Sequence, residues 1–487
     1  MMTQISQYTI RTSILVLFLL MLVACEQEEP IRIRVTPTPD TVAQQATTVV
    51  DTVFTTEATI VPTVTIPTET EITPSEEVTP SATPLQPEGF GPIIDAEYTP
   101  PPTSTPAPNS TATVQPSSTP IPITPITTPI TELPGFYEDQ LGIQLYYNIN
   151  IDEWFQLLVR TDRLNVGWIK VQANWDFLQP NNRDQFDTAF SLFQSHVQRA
   201  HNSGYRVLVS IAKAPDWARP AGADLNLSGP PANPDDLAYF INFMFDRMGD
   251  QISAVEVWNE PNLSREWAGG LEWSGAGYMQ LFRTSYDTIR ARYPQMPIIT
   301  AGLAPTAAQG AIDDRAFLEQ MYNAGLADPY YQNIAVGVHP YGWGNPPDSR
   351  CCDNIEGRGW DDDPRFFFLD TLEDYRDIMV SNGHENVQMW ATEFGWATWS
   401  GLPNEAPDVW MTYNTPEQQA DYTIRALEIG RDLDYVGPMF LWNLNFASDD
   451  LIVERNEMVG YSLIVPRLPI RPLYDAIANS PRLEPQP

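Results

Sequence analysis

Lysine is almost missing from this chain of 487 residues, occurring only at Lys170 and Lys213. Histidine occurs four times and cysteine three times. Basic residues number 27 against 62 acidic ones, a formal charge of −35. A surface of that sign repels nucleic acid and anionic membranes, so an uncharged polymer is the more natural partner. The same charge also serves simply to keep an exported protein soluble. No His-Glu-x-x-His motif or other zinc-ligand spacing is present, and the acidic run Asp361-Asp362-Asp363 reads as a calcium loop or a solvated one. No glycine-rich dinucleotide loop follows the first strand-like run. Neither a metal nor a cofactor is therefore expected. Tryptophan is absent before residue 154, and all 14 lie from Trp154 onward, which puts the core in the C-terminal part.

The apolar stretch 14–23 is too short for a confident membrane span of ~20 residues. Preceded by Arg11, it reads as an export signal. It ends in Leu22-Val23-Ala24-Cys25, which resembles a bacterial lipobox. That resemblance implies acylation of Cys25, so that residues 1–25 are a lipoprotein signal peptide. The chain would then be held at the extracellular face of the envelope by a lipid anchor, not by a span. An ordinary signal peptide with an incidental cysteine is the plainer alternative. Cys351 and Cys352 are adjacent and form either a strained vicinal disulfide or two free thiols.

Residues 26–134 are a different material. Of 46 prolines in the chain, 21 fall between Pro30 and Pro134, among threonine and serine. Such composition buries too little apolar surface to offset chain entropy, so a disordered, extended tether is expected, suited to O-glycosylation.

From about residue 135 to 487 short β-branched or aromatic runs alternate with amphipathic stretches. Strands are expected at 141–147, 166–173, 205–212, 254–258, 297–301, 334–339, 387–393 and 438–443. Helices are expected at 184–202, 235–248, 278–293, 317–324, 370–381, 416–432 and 473–478. Eight strand–helix units match an α/β fold, a (β/α)8 TIM barrel. An open doubly wound sheet gives the same alternation, but here polar and aromatic residues gather at the ends of many strands instead of at one crevice.

Two of those ends carry carboxylates. The fourth strand closes with Trp258-Asn259-Glu260-Pro261 and the seventh with Thr392-Glu393. Strands four and seven face each other across a barrel mouth. Cleaving a glycosidic bond needs one carboxylic acid to protonate the leaving oxygen and a second carboxylate to attack the anomeric carbon. Trp258 and Trp267 are candidates for an apolar wall beside the acid. As stability residues the two glutamates would be costly to bury unpaired.

The pattern resembles the clan A glycoside hydrolases, and is most similar to the family 39 group of β-xylosidases, α-iduronidase and bacterial exopolysaccharide hydrolases. The resemblance covers about residues 136–480. It implies a retaining enzyme with Glu260 as acid/base, Glu393 as nucleophile and Asn259 bonding the sugar 2-hydroxyl. His339-Pro340-Tyr341-Gly342-Trp343 is similar to the clan's contacts near the nucleophile, and Trp442 to its sugar platform. Pro215-Asp216-Trp217 looks like the family's third-strand segment. Many clan members carry an arginine on an early strand near the nucleophile, where this chain offers Lys170.

Alternation puts Lys170 on one face of its strand with Gln172 and Asn174, pointing inward. It either serves a site or forms a buried ion pair. Of the histidines, His339 alone sits at a strand end, while His196, His201 and His384 are expected at the surface. Trp175, Trp217, Trp267, Trp273, Trp343, Trp396, Trp399 and Trp442 fall in loops or strand ends, where they line a sugar groove or simply pack. The expected partner is a poly- or oligosaccharide, with the chain acting as a monomer. The rival readings are a non-catalytic carbohydrate-binding envelope lipoprotein on a barrel scaffold and a transport-associated binding lipoprotein.

Overall fold

The computed structural model describes residues 132–352 and 357–484. Cys25 and both N-terminal segments up to residue 131 lie outside them. The chain forms a closed barrel of eight parallel strands. They are β1 Leu141–Gln144, β2 Trp168–Asn174, β3 Arg206–Ala212, β4 Ala254–Val257, β5 Ile298–Thr300, β6 Ile334–Val338, β7 Met389–Phe394 and β8 Val436–Leu441. β8 closes on β1 through Leu141↔Met439 and Ile143↔Leu441. All eight expected strands are present, within a few residues of the expected bounds.

The strands were legible because a parallel barrel buries both faces of its sheet, so each reads as a short apolar run. Residues facing the helices, such as Ile169, Val171, Val207 and Val209, join the main core. The inward residues stack in layers. At the N-terminal end Trp168, Leu208, Ala254, Ile299, Ala335, Trp390 and Phe440 form an apolar plug. Above it the interior turns polar, with Lys170, Ser210, Glu256 and Thr392 all fully buried.

The main helices are α1 Ile151–Asp162, α2 Thr188–Asn202, α3 Pro234–Met248, α4 Gly275–Arg292, α5 Asp314–Asn323, α6 Phe368–Ser381, α7 Pro416–Asp432 and α8 Pro472–Asn479. Side chains satisfy the free amides at many of their N-termini. Asn150 and Glu153 form a reciprocal capping box on α1, as do Thr415 and Gln418 on α7. Asp187, Asn233, Ser274 and Asp313 cap α2 to α5.

Sequence reading missed α1. Its buried face carries Trp154, Leu157 and Leu158, but Ile151, Phe155 and Val159 are exposed on the other side and blur the period. It also missed the parallel pairing of Phe136–Tyr137 with Arg482–Leu483, which ties the two ends of the domain together.

Two histidines expected at the surface are buried instead. His196 stacks on Trp154 with ring centroids 4.6 Å apart, and His384 bonds the Tyr322 hydroxyl at 3.0 Å. His196 lies on the buried face of α2, and His384 follows α6 in the loop that leads to β7.

Candidate active site

Backbone strain marks the C-terminal mouth of the barrel. Lys213 after β3, Trp258 and Glu260 after β4, and Trp343 after β6 all have positive φ, between 42° and 77°. Non-glycine residues hold such angles only where their surroundings over-determine them, and they cluster at functional sites. At the end of β4 the turn is secured by the Glu260 N–H, which donates to the Gly302 carbonyl at 3.0 Å. Gly302 itself has no room for a side chain, because a Cβ there would lie 2.2 Å from the His339 ring.

Glu393 reaches the mouth by an irregularity. Strict alternation from the inward Trp390 and Thr392 would turn Glu393 toward the helices. The β7–β8 register shifts between Ala391 and Phe394, at this residue, and such shifts re-aim side chains. Its carboxylate ends almost fully buried inside.

The two glutamates meet at one imidazole. His339 Nδ1 lies 3.1 Å from Glu260 Oε1 and 3.9 Å from Glu393 Oε2. Those carboxylate oxygens are therefore separated by no more than the two distances combined. The Tyr341 hydroxyl donates to Glu393 Oε2 at 3.0 Å, and Lys170 Nζ lies 3.0 Å from Oε1. Lys170 also lies 3.0 Å from Glu256 Oε2. Arg265 Nη2 stands 3.6 Å from Glu260 Oε2, and its Nε 3.7 Å from Glu266 Oε1.

Burial and charge oppose each other here. Burial pulls the His339 imidazolium down, but Glu393 and the hydrogen-bonded Glu260 outweigh it, so its pKa is raised. Burial, then Glu393, hold the Tyr341 phenol well above the usual tyrosine range, which keeps it a hydrogen-bond donor. Burial pushes Glu266 up against the pull of Lys213 and Arg265.

The remaining candidates divide into groups. Asn259 is 1% exposed, and neither its Nδ2 nor its Oδ1 has a hydrogen-bond partner among the described residues. Trp442 and Trp343 are buried in an aromatic cluster around Tyr341, whose ring centroid lies 6.0 Å from Trp442 and 6.3 Å from Trp343. Asn174 accepts from Gln172 Nε2 at 2.9 Å and lines a cleft of about 480 Å3 at the ends of β1 to β3. Lys213, Tyr146 and Phe446 line the same cleft. Glu260 and Glu393 do not line it, but Phe446 packs on Trp442 at 6.1 Å and so adjoins their cluster. Trp217 is half-buried, its indole N–H bonding the Gln179 carbonyl and its ring edge meeting Trp175.

Most of the aromatic row is packing: Trp175, Trp267, Trp343, Trp396, Trp399 and Trp442 are buried, and Trp273 alone of the eight is exposed. Trp258 and Trp267 pack edge to face beneath the Glu260 turn. Cys351 and Cys352 are joined by a disulfide. Asp361 pairs with Arg358, and Asp363 with Arg365.

Sequence reading missed Glu256, Arg265 and Gly302. A single clue was present for the first: a lone carboxylate between Val255 and Val257, which alternation puts on the same side of the strand as Trp258.

No family model and no curated protein matches this chain. Solved structures do resemble it. A family 39 glycoside hydrolase from the gut symbiont Bacteroides cellulosilyticus WH2 superposes with a TM-score of 0.52 at 18% identity, over 70% of this chain and 63% of that one. The barrel fold is shared. A monomeric β-xylosidase from Caulobacter crescentus CB15 gives 0.48 at 17% identity, over 72% of this chain and 69% of the other. This chain thus spans less than two thirds of the length of the first of these relatives.

Proposed function

We propose that this chain is a retaining glycoside hydrolase acting on poly- or oligosaccharides, with Glu260 as acid/base and Glu393 as nucleophile. One observation carries the reading: two buried carboxylates from the ends of β4 and β7 converge on His339, with oxygens 3.1 and 3.9 Å from one nitrogen. The upper limit this sets is compatible with the ~5–5.5 Å of retaining enzymes and leaves little of the ~6.5–9.5 Å range of inverting ones.

In the first step Glu260 gives its proton to the glycosidic oxygen as the bond from that oxygen to the anomeric carbon breaks. Glu393 forms an ester to the same carbon. In the second step Glu260 takes a proton from water, whose oxygen attacks the anomeric carbon and releases Glu393. Lys170 and Tyr341 hold one oxygen each of Glu393 in the attacking geometry, and preorganised partners of this kind need not reorganise during reaction. The orphaned amide of Asn259 is available to a sugar hydroxyl. The cleft beside Asn174 and Lys213 extends the same face and is suited to further sugar units. The Leu22–Cys25 sequence supports export and lipid anchoring.

The test is release of reducing ends from a polysaccharide panel by wild type, Glu260→Gln and Glu393→Gln, with NMR of the first-formed anomer. Wild type should act with retention and each variant should lose at least ~100-fold. No release above background by any of the three would leave a carbohydrate-binding protein, equal release above background would remove the roles of the two glutamates, and an inverted anomer would remove the double displacement.

A further inference from the structure

A barrel interior is ordinarily filled by branched apolar side chains. Here the layer beneath the two catalytic candidates contains a carboxylate and an ammonium, Glu256 and Lys170, both with fully buried side chains. Such a pair is no cheap source of stability, since desolvating two ions costs about as much as their attraction returns. Its retention calls for another reason.

Lys170 Nζ donates to Glu393 Oε1 at 3.0 Å and to the Thr392 carbonyl at 3.1 Å, and it forms an ion pair with Glu256 Oε2 at 3.0 Å. Glu256 is held from its other side. Its Oε1 accepts the Gly302 N–H at 3.2 Å, and the Gly302 carbonyl accepts the N–H of Glu260. Glu256 thus touches neither the mouth nor the cleft, yet it is one contact away from both catalytic candidates.

Lysine differs from arginine in one respect that matters here. A buried arginine stays charged, whereas a buried lysine sheds its proton readily unless anions hold it. We propose that Glu256 is a positioning residue acting through Lys170: it keeps the ammonium charged and aimed at Glu393. The proposal rests on the reading of Glu393 as nucleophile and adds to it the group that maintains its counter-ion.

The electrostatics agree. Burial pulls the Lys170 ammonium down, but Glu256 first and Glu393 second push it up, and the net pKa is above the ordinary lysine value. Burial pushes Glu256 up, but Lys170 and then His339 hold it below the usual carboxylate range. The charged groups facing Lys170 are Glu256 from β4, Glu393 from β7 and His339 from the end of β6, while Tyr278 of α4 approaches Glu256 from outside the barrel. Neutralising Glu256 removes the largest contribution that keeps Lys170 charged.

The sparse lysine content makes this directly measurable. In protein labelled with 15N-lysine, Lys213→Arg leaves one side-chain signal, that of Lys170. Its titration is expected above the ordinary ~10.4 of lysine, and at least about one unit lower when Glu256→Gln is added. In parallel, kcat/KM is measured against pH on a panel of 4-nitrophenyl glycosides. Glu256→Gln should move the alkaline limb to lower pH, with about a tenfold extra loss for each unit above the new midpoint. Adding Lys170→Arg should restore the alkaline activity relative to Glu256→Gln alone, since guanidinium does not titrate there. A uniform loss with an unmoved limb, or no recovery with arginine, would mean Glu256 is merely structural. If Glu256→Gln does not fold, the Lys213→Arg protein decides: a Lys170 titration at or below the ordinary lysine value overturns the proposal. Absence of any glycosidase activity in wild type would defeat the hydrolase reading while leaving the lysine titration to judge the Glu256–Lys170 link.

Discussion

Replacing Lys170 by methionine should destabilise the fold severely. Methionine nearly matches lysine in volume, so little cavity is created. What changes is charge: Glu256 and Glu393 would be left facing each other, with side chains 0% and 3% exposed and their shared cation gone. Removing one partner of a buried pair costs ~3–5 kcal/mol, because the other charge stays desolvated. With an m-value of about 3 kcal/mol/M in urea, the unfolding midpoint should fall by roughly 1–1.7 M. Tryptophan fluorescence reports the transition well, since all 14 indoles lie from Trp154 onward. Adding Glu256→Gln should recover part of the loss, giving a coupling of about 1–3 kcal/mol.

The deficit should also depend on pH. The raised Lys170 pKa contributes stability that is full below ~10.4 and lost as pH rises through the higher folded value. The lowered Glu256 pKa contributes stability present above ~4.3 and lost as pH falls through the lower folded value. The gap between wild type and variant should therefore be widest from about pH 5 to 10 and close at either end. A midpoint within ~0.2 M of wild type at pH 7 would refute the reasoning, for it would mean the two carboxylates do not depend on Lys170 for their charge.

Two further outcomes follow from single contacts. Tyr341→Phe deletes one donor to Glu393 without changing shape, and a hydrogen bond to a charged group is worth ~1.5–3 kcal/mol. It should cost about 10–100-fold in kcat/KM, and full activity would show the hydroxyl to be idle. Burial holds the His196 imidazole down to about 4, so the neutral ring is favoured in the fold. Its stabilisation is complete above ~6.5 and lost as pH falls from there toward about 4. His196→Phe should flatten that acid limb in urea titrations between pH 7 and 5, and an unchanged slope would assign acid sensitivity elsewhere.

The sequence determined the architecture on its own. Each barrel strand is buried on both faces, which leaves a local signature that needs no knowledge of its neighbours. Local grammar likewise exposed Glu260 and Glu393, each a carboxylate closing an apolar run. It failed for α1, where exposed Ile151, Phe155 and Val159 imitate a buried face. It also failed to sort the tryptophans, because a ring in a groove and a ring in a core have the same sequence context.

What only the tertiary structure decided is which groups share a charge. Glu256, Lys170, Glu393 and His339 come from four strands or strand ends, and Glu393 joins them only through a register shift between β7 and β8. Electrostatic coupling depends on distance through space and on burial, and neither is written in the spacing of residues along a chain.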